Sequence, residues 1–148
     1  MRWKKLLLAS AAGATLLAAC ATTGEVPYRE ETHYFVKNNL SEPPMGKFTS
    51  QAQLDSCFGV AAVMGPGGVP EQIDFSREFV IAVSQPVTSV ETRIEPVSLR
   101  KNGSGSMVLD YRVVRGDDIG YFIQPCLLLV VRGSGQTDVE LREIEKKR

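Results

Sequence analysis

The chain has 148 residues, and its 17 Lys and Arg are balanced by 17 Asp and Glu. This length predicts one domain that can bury a self-sufficient core. The neutral balance, without a basic patch, argues against nucleic acid as a partner.

The first residues combine positive charge with a short apolar run. Arg2, Lys4 and Lys5 precede twelve apolar or small residues, 6–17. A helix of that length spans roughly 18 Å, whereas a bilayer core needs roughly 30 Å. The pattern therefore indicates a secretory signal peptide, residues 1–19, rather than a transmembrane helix.

The apolar run ends on Leu17-Ala18-Ala19-Cys20, which resembles the bacterial lipobox. The resemblance implies cleavage before Cys20, with lipid on its sulfur and on the new amino group. The alternative is an ordinary signal peptide cut near Ala19, with Cys20 incidental. Because residue 21 is Ala rather than Asp, the bacterial sorting pattern favours the outer membrane over the inner membrane.

The mature chain then begins with a tether. Residues 20–31 hold Thr, Gly, Pro and charges with few apolar side chains, which predicts a flexible segment. The single domain is expected over 32–148. Loss of Arg2, Lys4 and Lys5 leaves 14 basic against 17 acidic residues, a net charge of −3.

One helix is expected in the domain. It follows the strand-like run "THYFVK" and the turn-rich "NNLSEPPMGK". Ser50 can cap a helix with Gln53 completing a capping box, and Leu54, Cys57 and Phe58 then share one apolar face. The "GPGGVPE" that follows is predicted to be a loop, because its glycines and prolines oppose regular structure.

From Ile73 onward the pattern is that of strands. "EFVIAVSQ" is typical of a central strand, and "SVETRIEPVSL" alternates like a half-exposed one. "KNGSGS" and "GDDIG" are predicted turns on either side of "MVLDYRVVR". The run "YFIQPCLLLVVRG" is predicted as one long strand with an edge position or bulge at Pro125, and "TDVELREI" closes the sheet.

These elements predict a mainly β (α+β) fold. We expect an antiparallel β sandwich or open barrel of five to six strands with one short helix packed on it.

Candidate catalytic groups are sparse. His33 is the only histidine, and the chain has no G-x-S-x-G motif. The glycine-rich runs lack the Lys of a phosphate loop, and Asp117 and Asp118 suit a solvated turn. Cys57 and Cys126 are too far apart in sequence for the clustered ligands of a zinc site. We therefore expect no enzyme activity, no metal and no cofactor.

With Cys20 lipidated, Cys57 and Cys126 form an even pair in a compartment where disulfides persist. A bridge between them would close a loop of about 70 residues and contribute roughly 4 kcal/mol in the chain-entropy model. The alternative is two separate buried thiols that pack as small hydrophobes.

The run "IDFSREFVIAV", preceded by Phe58, Gly59 and Ala61, resembles the C-terminal domain of the PrcB family over residues 33–145. These are bacterial lipoproteins named for a subunit of a cell-surface protease complex. The resemblance implies a small β-rich domain that binds or supports a protease. The family commonly has a Thr-Gly-Gly-Tyr-like turn where this chain reads Thr88-Ser89-Val90-Glu91, so that loop is expected to differ.

Two functions are consistent with these patterns. The first is an envelope lipoprotein whose non-catalytic domain binds a protein, such as a protease, through a sheet edge at the Pro125 strand or the C-terminal strand. The second is a small-molecule-binding module. The aromatic side chains available to line its pocket are Phe48, Phe58, Phe79, Tyr111, Tyr121 and Phe122.

Overall fold

A computed structural model describes residues 24–145, which contain nine strands and one helix. The predicted signal peptide and Cys20 lie outside the described residues. The elements are β1 Tyr28–Glu31, β2 Tyr34–Val36, β3 Gly46–Phe48, α1 Gln51–Cys57, β4 Phe58–Val60, β5 Glu78–Ser84, β6 Thr88–Lys101, β7 Met107–Ile123, β8 Cys126–Arg132 and β9 Val139–Glu143. Within the described range, no helix is long and apolar enough to span a bilayer.

The strands form three sheets. The central sheet has the order β1-β8-β5-β3 and is antiparallel throughout. A second sheet has the order β6-β7-β9, and a two-stranded sheet pairs β2 with β4. The predicted mainly β fold with one short helix is confirmed, and the sheets pack on one another without closing into a barrel. The strand count exceeds the expected five to six because several strands have only three or four residues.

Four strands derive from one long hairpin folded in half. Its turn lies between Lys101 and Met107, which face each other. Pairing continues outward through β6 and β7 and then through β5 and β8, ending at Glu78 opposite Arg132. We call these paired segments, 78–101 and 107–132, the ribbon. The ribbon bends back at residues 85–87 and 124–125, so that β6 and β7 lie over β5 and β8.

The fold explains why β5 and β8 read as continuous apolar runs. The central sheet is covered on both faces, so both alternating sets of side chains are buried. On one face, Phe79, Ile81 and Leu129 pack against β6 and β7 in a first core. On the other, Val80, Ala82 and Val130 pack against α1, β2 and β4 in a second core.

The domain begins earlier than the sequence indicated. The tether predicted over 20–31 is wrong for its last part, because Tyr28–Glu31 pairs with β8 as an edge strand. Before it, Glu25 bridges to Arg100, and Val26 packs against the first core. An edge strand needs few apolar side chains when one of its faces meets solvent, so its composition resembles that of a linker.

Two other expectations also need correction. The predicted turn "GDDIG" lies inside β7, which continues to Ile123. The long strand predicted across Pro125 is instead split there, because Gln124 and Pro125 lie where the ribbon bends between β7 and β8. The C-terminal strand β9 joins β7 in parallel, an exception to the otherwise antiparallel pairing.

Candidate protein-binding site

One side of β7 is paired along only part of its length. β9 faces Met107 to Tyr111, and the last backbone bond runs from Ile144 N to Tyr111 O at 2.8 Å. Beyond this point, residues 112–123 face β6 on one side, and no strand of the described range 24–145 pairs with them on the other. We call this unpaired stretch the β7 edge.

The backbone direction along the β7 edge follows from the pairing with β9. Met107 N and Tyr111 O both bond toward β9, to Asp138 O and from Ile144 N. Because a strand repeats every two residues, the N–H and C=O of Val113 point to the same side. Val113 therefore presents a backbone donor and acceptor where β9 no longer covers the strand.

A groove lies beside this part of the edge. Residues 112–115 form one wall and residues 143–145 the other, enclosing about 430 Å³ of open space. The two walls carry opposite charges, from Arg112 and Arg115 on one and from Glu143 and Glu145 on the other. Val113, Val114 and Ile144 contribute apolar surface. The groove lies where β9 ends and β7 continues.

The far end of the β7 edge is irregular. Thr92 faces Arg115 and Val90 faces Asp118, so β7 carries one extra residue there. Further extra residues precede Ile123, including Gly120, whose φ of +73° favours glycine. We call this bulged part, residues 117–123 of β7 with the facing start of β6, the ribbon tip. It lies at the end of β6 and β7 opposite to their hairpin turn.

Asp118 holds the ribbon tip together. Its Oδ2 accepts a bond from Ser89 Oγ at 2.8 Å, and its Oδ1 accepts one from Gly120 N at 2.8 Å. These bonds favour the ionised form and lower the pKa of Asp118 below its ordinary value. The carboxylate thus fixes the bulge, a structural role that the sequence indicated only as turn formation.

The ribbon tip exposes large apolar side chains. Tyr121 is 63% exposed and Phe122 is 79% exposed, with Val87 nearby in sequence at 59%. Aromatic side chains at this exposure are typical anchors of protein interfaces rather than of a folded core. Of the six aromatic residues proposed to line a ligand pocket, only these two are exposed. Phe58 and Phe48 pack edge-to-face in the second core, and Phe79 and Tyr111 pack in the first.

His33 belongs to a polar cluster on β1 rather than to a catalytic triad. Its Nδ1 lies 3.0 Å from Glu31 Oε1, which also accepts from the His33 backbone N–H. Arg29 contacts Glu71 at 3.1 Å and Glu78 at 3.5 Å on the same strand's flank. The ion pairs of Arg29 join β1 to Glu71 and to β5. Among residues 24–145, no group of three or more His, Cys, Asp or Glu side chains is arranged to hold a metal ion.

Cys57 and Cys126 are both free in the structure, as in the alternative of two separate thiols. Each is partly buried against the second core. Cys126 Sγ lies 3.8 Å from Tyr34 O, and burial raises the pKa of this thiol to about 11. A thiol with such a pKa is a poor nucleophile at neutral pH.

Comparison with family models, with curated proteins and with solved structures finds no match for this chain. The geometry therefore defines the class of the molecule. It is a small three-layer β domain with an unpaired sheet edge and an exposed aromatic tip.

Proposed function

We propose that the chain is a lipid-anchored protein of the bacterial envelope, on the outer rather than the inner membrane, whose non-catalytic domain binds another protein. The binding mode is strand addition at the β7 edge. One observation carries this proposal: β7 continues past the end of β9, and beside the groove its backbone donors and acceptors have no partner strand among residues 24–145. An extended peptide can complete such an edge with main-chain hydrogen bonds.

The edge offers both a backbone template and side-chain anchors. Residues 112–115 are regularly paired with β6, so they supply a straight template. The bulge that follows twists the strand away, which limits the added strand to a few residues. Beyond it, Tyr121 and Phe122 supply apolar contacts that give the partner its specificity.

The position of the membrane anchor suits this role. The described chain starts at Gly24, whose carbonyl accepts a bond from Lys101 N near the hairpin turn of the ribbon. The ribbon tip lies at the other end of β6 and β7. A partner at the tip is therefore separated from the lipid attached at Cys20 by most of the ribbon.

A protease is the partner class that we propose. Its support is the resemblance of "IDFSREFVIAV" to the PrcB C-terminal domain, together with an arrangement that suits an accessory subunit. An accessory subunit needs an anchor, a rigid body and a docking edge, and it needs no catalytic group of its own.

The experiment uses the mature chain in its native envelope, with a photo-crosslinking amino acid in place of Tyr121. A control chain carries the same group at Val97, which is exposed on β6 away from the edge. We expect a protein adduct from position 121 and none from position 97. Identification of a protease in the adduct supports the accessory role, whereas another protein replaces that partner class.

Strand addition is tested separately by Val113→Pro in the Tyr121 probe chain. Proline removes the backbone donor that faces the groove but spares the bonds of β7 to β6. Val113→Ala shortens the side chain and keeps the donor. We expect the proline variant to lose the adduct and the alanine variant to retain it. Equal adducts from both variants contradict strand addition.

A further inference from the structure

The ribbon tip carries negative charge as well as exposed aromatic side chains. Glu91 on β6 and Asp117 and Asp118 on β7 are all exposed. The two segments that form the tip and its base, residues 86–92 and 116–126, contain no Lys, Arg or His. The tip therefore presents three carboxylates that no basic residue of its own segments offsets.

The fold brings these carboxylates together from both strands. Gly116 has no side chain, and Glu91 lies over it, since a Cβ at Gly116 would be 2.7 Å from Glu91 Oε2. The Glu91 carboxylate is thus placed across β7, beside the position that precedes Asp117. Asp118 is joined to β6 through Ser89 Oγ, which is a neutral donor and brings no positive charge.

No cation of the described chain neutralises this group. Among residues 24–145, none of the three carboxylates forms an ion pair with Lys, Arg or His. The arginines nearest in sequence are engaged elsewhere, since Arg93 lies 3.6 Å from Glu95 and Arg115 Nη2 donates to Gln85 Oε1 at 3.3 Å. Like charges held together without a counter-ion repel one another, so all three attract a cation that approaches the tip.

The aromatic side chains of the tip favour the same kind of partner. Tyr121 and Phe122 follow Asp118 closely in the chain, and the backbone from Asp118 to Phe122 spans at most about 14 Å. The face of an aromatic ring attracts a Lys or Arg cation, and the ring also packs on the apolar stem of such a side chain. Rings and carboxylates at one surface therefore select the same side chains.

We propose that the partner segment bound at the ribbon tip is basic, with Lys or Arg side chains that face the three carboxylates and the aromatic pair. This inference rests on the protein binding in the proposed function. The groove beside residues 112–115 has walls of both signs, so charge selects the partner at the tip rather than along the added strand. A second copy of this tip would bring three more carboxylates, and a nucleic acid would bring phosphates, so charge disfavours both.

The experiment uses the chain with the photo-crosslinking amino acid at position 121, in envelope preparations. The tip variant combines Glu91→Gln with Asp117→Asn, which keeps the shape of both side chains and removes two charges. The control variant combines Glu30→Gln with Asp138→Asn, which removes two charges from exposed residues outside the tip. Asp118 is left unchanged in all chains, because its carboxylate fixes the bulge.

We expect the tip variant to form roughly three- to tenfold less adduct than the unmodified probe chain, and the control variant to form nearly as much. Raising NaCl from about 0.05 M to about 0.5 M should lower the adduct of the unmodified probe chain and change that of the tip variant little. The cross-linked partner peptide, released by an endoprotease that does not cut at Lys or Arg, should carry such residues close to the adduct.

Equal adducts from the three chains, unchanged by salt, overturn the basic partner and leave strand addition intact. The salt dependence of the unmodified probe chain decides the matter even where the tip variant folds poorly. An absence of adduct from position 121 in every chain overturns protein binding at the tip together with this inference. An adduct to the chain's own residues 146–148, which read "KKR", assigns the carboxylates to an internal contact and likewise overturns the basic partner.

Discussion

A single carboxylate joins the three strands of the second sheet, β6, β7 and β9. Asp110 on β7 is 8% exposed and accepts bonds from Arg142 on β9, at 2.8 and 3.2 Å, and from Arg100 on β6. Ser98 Oγ adds a further bond at 3.2 Å. The bonds from Arg142 and Arg100 outweigh the opposing effect of burial and lower the pKa of Asp110 to about 2.

This lowered pKa predicts a pH dependence of stability. The unfolded carboxyl titrates near 3.8, so the contribution of Asp110 is complete above that pH and is lost as pH falls toward about 2. Arg142 is half-exposed, and solvent screening reduces the contribution to about 1 kcal/mol at pH 7. We expect Asp110→Asn to lower the free energy of unfolding by about this amount and to flatten its pH dependence in this window.

Urea unfolding at pH 7 and at low pH measures both effects. Asp117→Asn is the matched control, because Asp117 is on the same strand and exposed. It should leave the free energy of unfolding nearly unchanged. An Asp110→Asn chain as stable as the unmodified one at pH 7 would show that the ion pairs contribute nothing.

The two thiols give a second prediction at this scale. Because Cys57 and Cys126 are free in the structure, the denatured mature chain should react at both residues without a reductant. In the folded chain at pH 8, Cys126 should react with iodoacetamide at least roughly tenfold more slowly than in the denatured chain, since burial keeps the thiol protonated. Mass spectrometry of alkylated peptides measures both, with Cys126→Ala confirming the assignment. A denatured chain without reactive thiols would instead establish the Cys57–Cys126 bridge.

At the scale of single elements, the sequence predicts correctly the features that depend only on neighbouring residues, such as the cap and the apolar face of α1. Ser50 Oγ accepts from Gln53 N as the helix cap, and the apolar face of α1 turns inward at Leu54. Gln53 Oε1 accepts instead from Thr49 N, so the capping box is displaced by one residue. The residues of "GDDIG" suit a bulge as well as a turn, and only the facing strand distinguishes the two.

The hairpin turn of the ribbon gives a kinetic prediction. Asn102 Oδ1 accepts bonds from Ser104 N and Ser106 N, which shape the turn between β6 and β7. Because all later pairs of the ribbon are nested around this turn, each closes a short loop once the previous pair has formed. We expect Asn102→Ala to cost about 1 kcal/mol, mainly by slowing folding.

Stopped-flow folding and unfolding rates in urea measure this partition. Ser134→Ala is the matched control, since Ser134 Oγ accepts from Gln136 N in a turn outside the ribbon. It should act mainly on unfolding. An Asn102→Ala chain that folds at the normal rate but unfolds faster would place turn formation after the rate-limiting step.

At the scale of the whole molecule, the sequence indicated the class of fold but not its assembly. The apolar runs of β5 and β8 identified the buried strands, because burial on both faces leaves no polar alternation. Which elements cover each face depends on the bend of the ribbon at residues 85–87 and 124–125, and no local pattern encodes it. The β7 edge was also missed, because an unpaired edge is defined by where β9 ends rather than by the composition of β7.

The segment before β1 has a mechanical consequence. A pull on the chain from its N-terminal side acts first on the contacts of Gly24, Glu25 and Val26 with β6, which comprise the two backbone bonds of the Glu25–Arg100 bridge. Only after these give way does tension act on the pairing of β1 with β8, and the cores lie behind that. If the chain is anchored as proposed, the contacts of residues 24–26 release before the pairing of β1 and lengthen the connection to the membrane while the folded body stays intact.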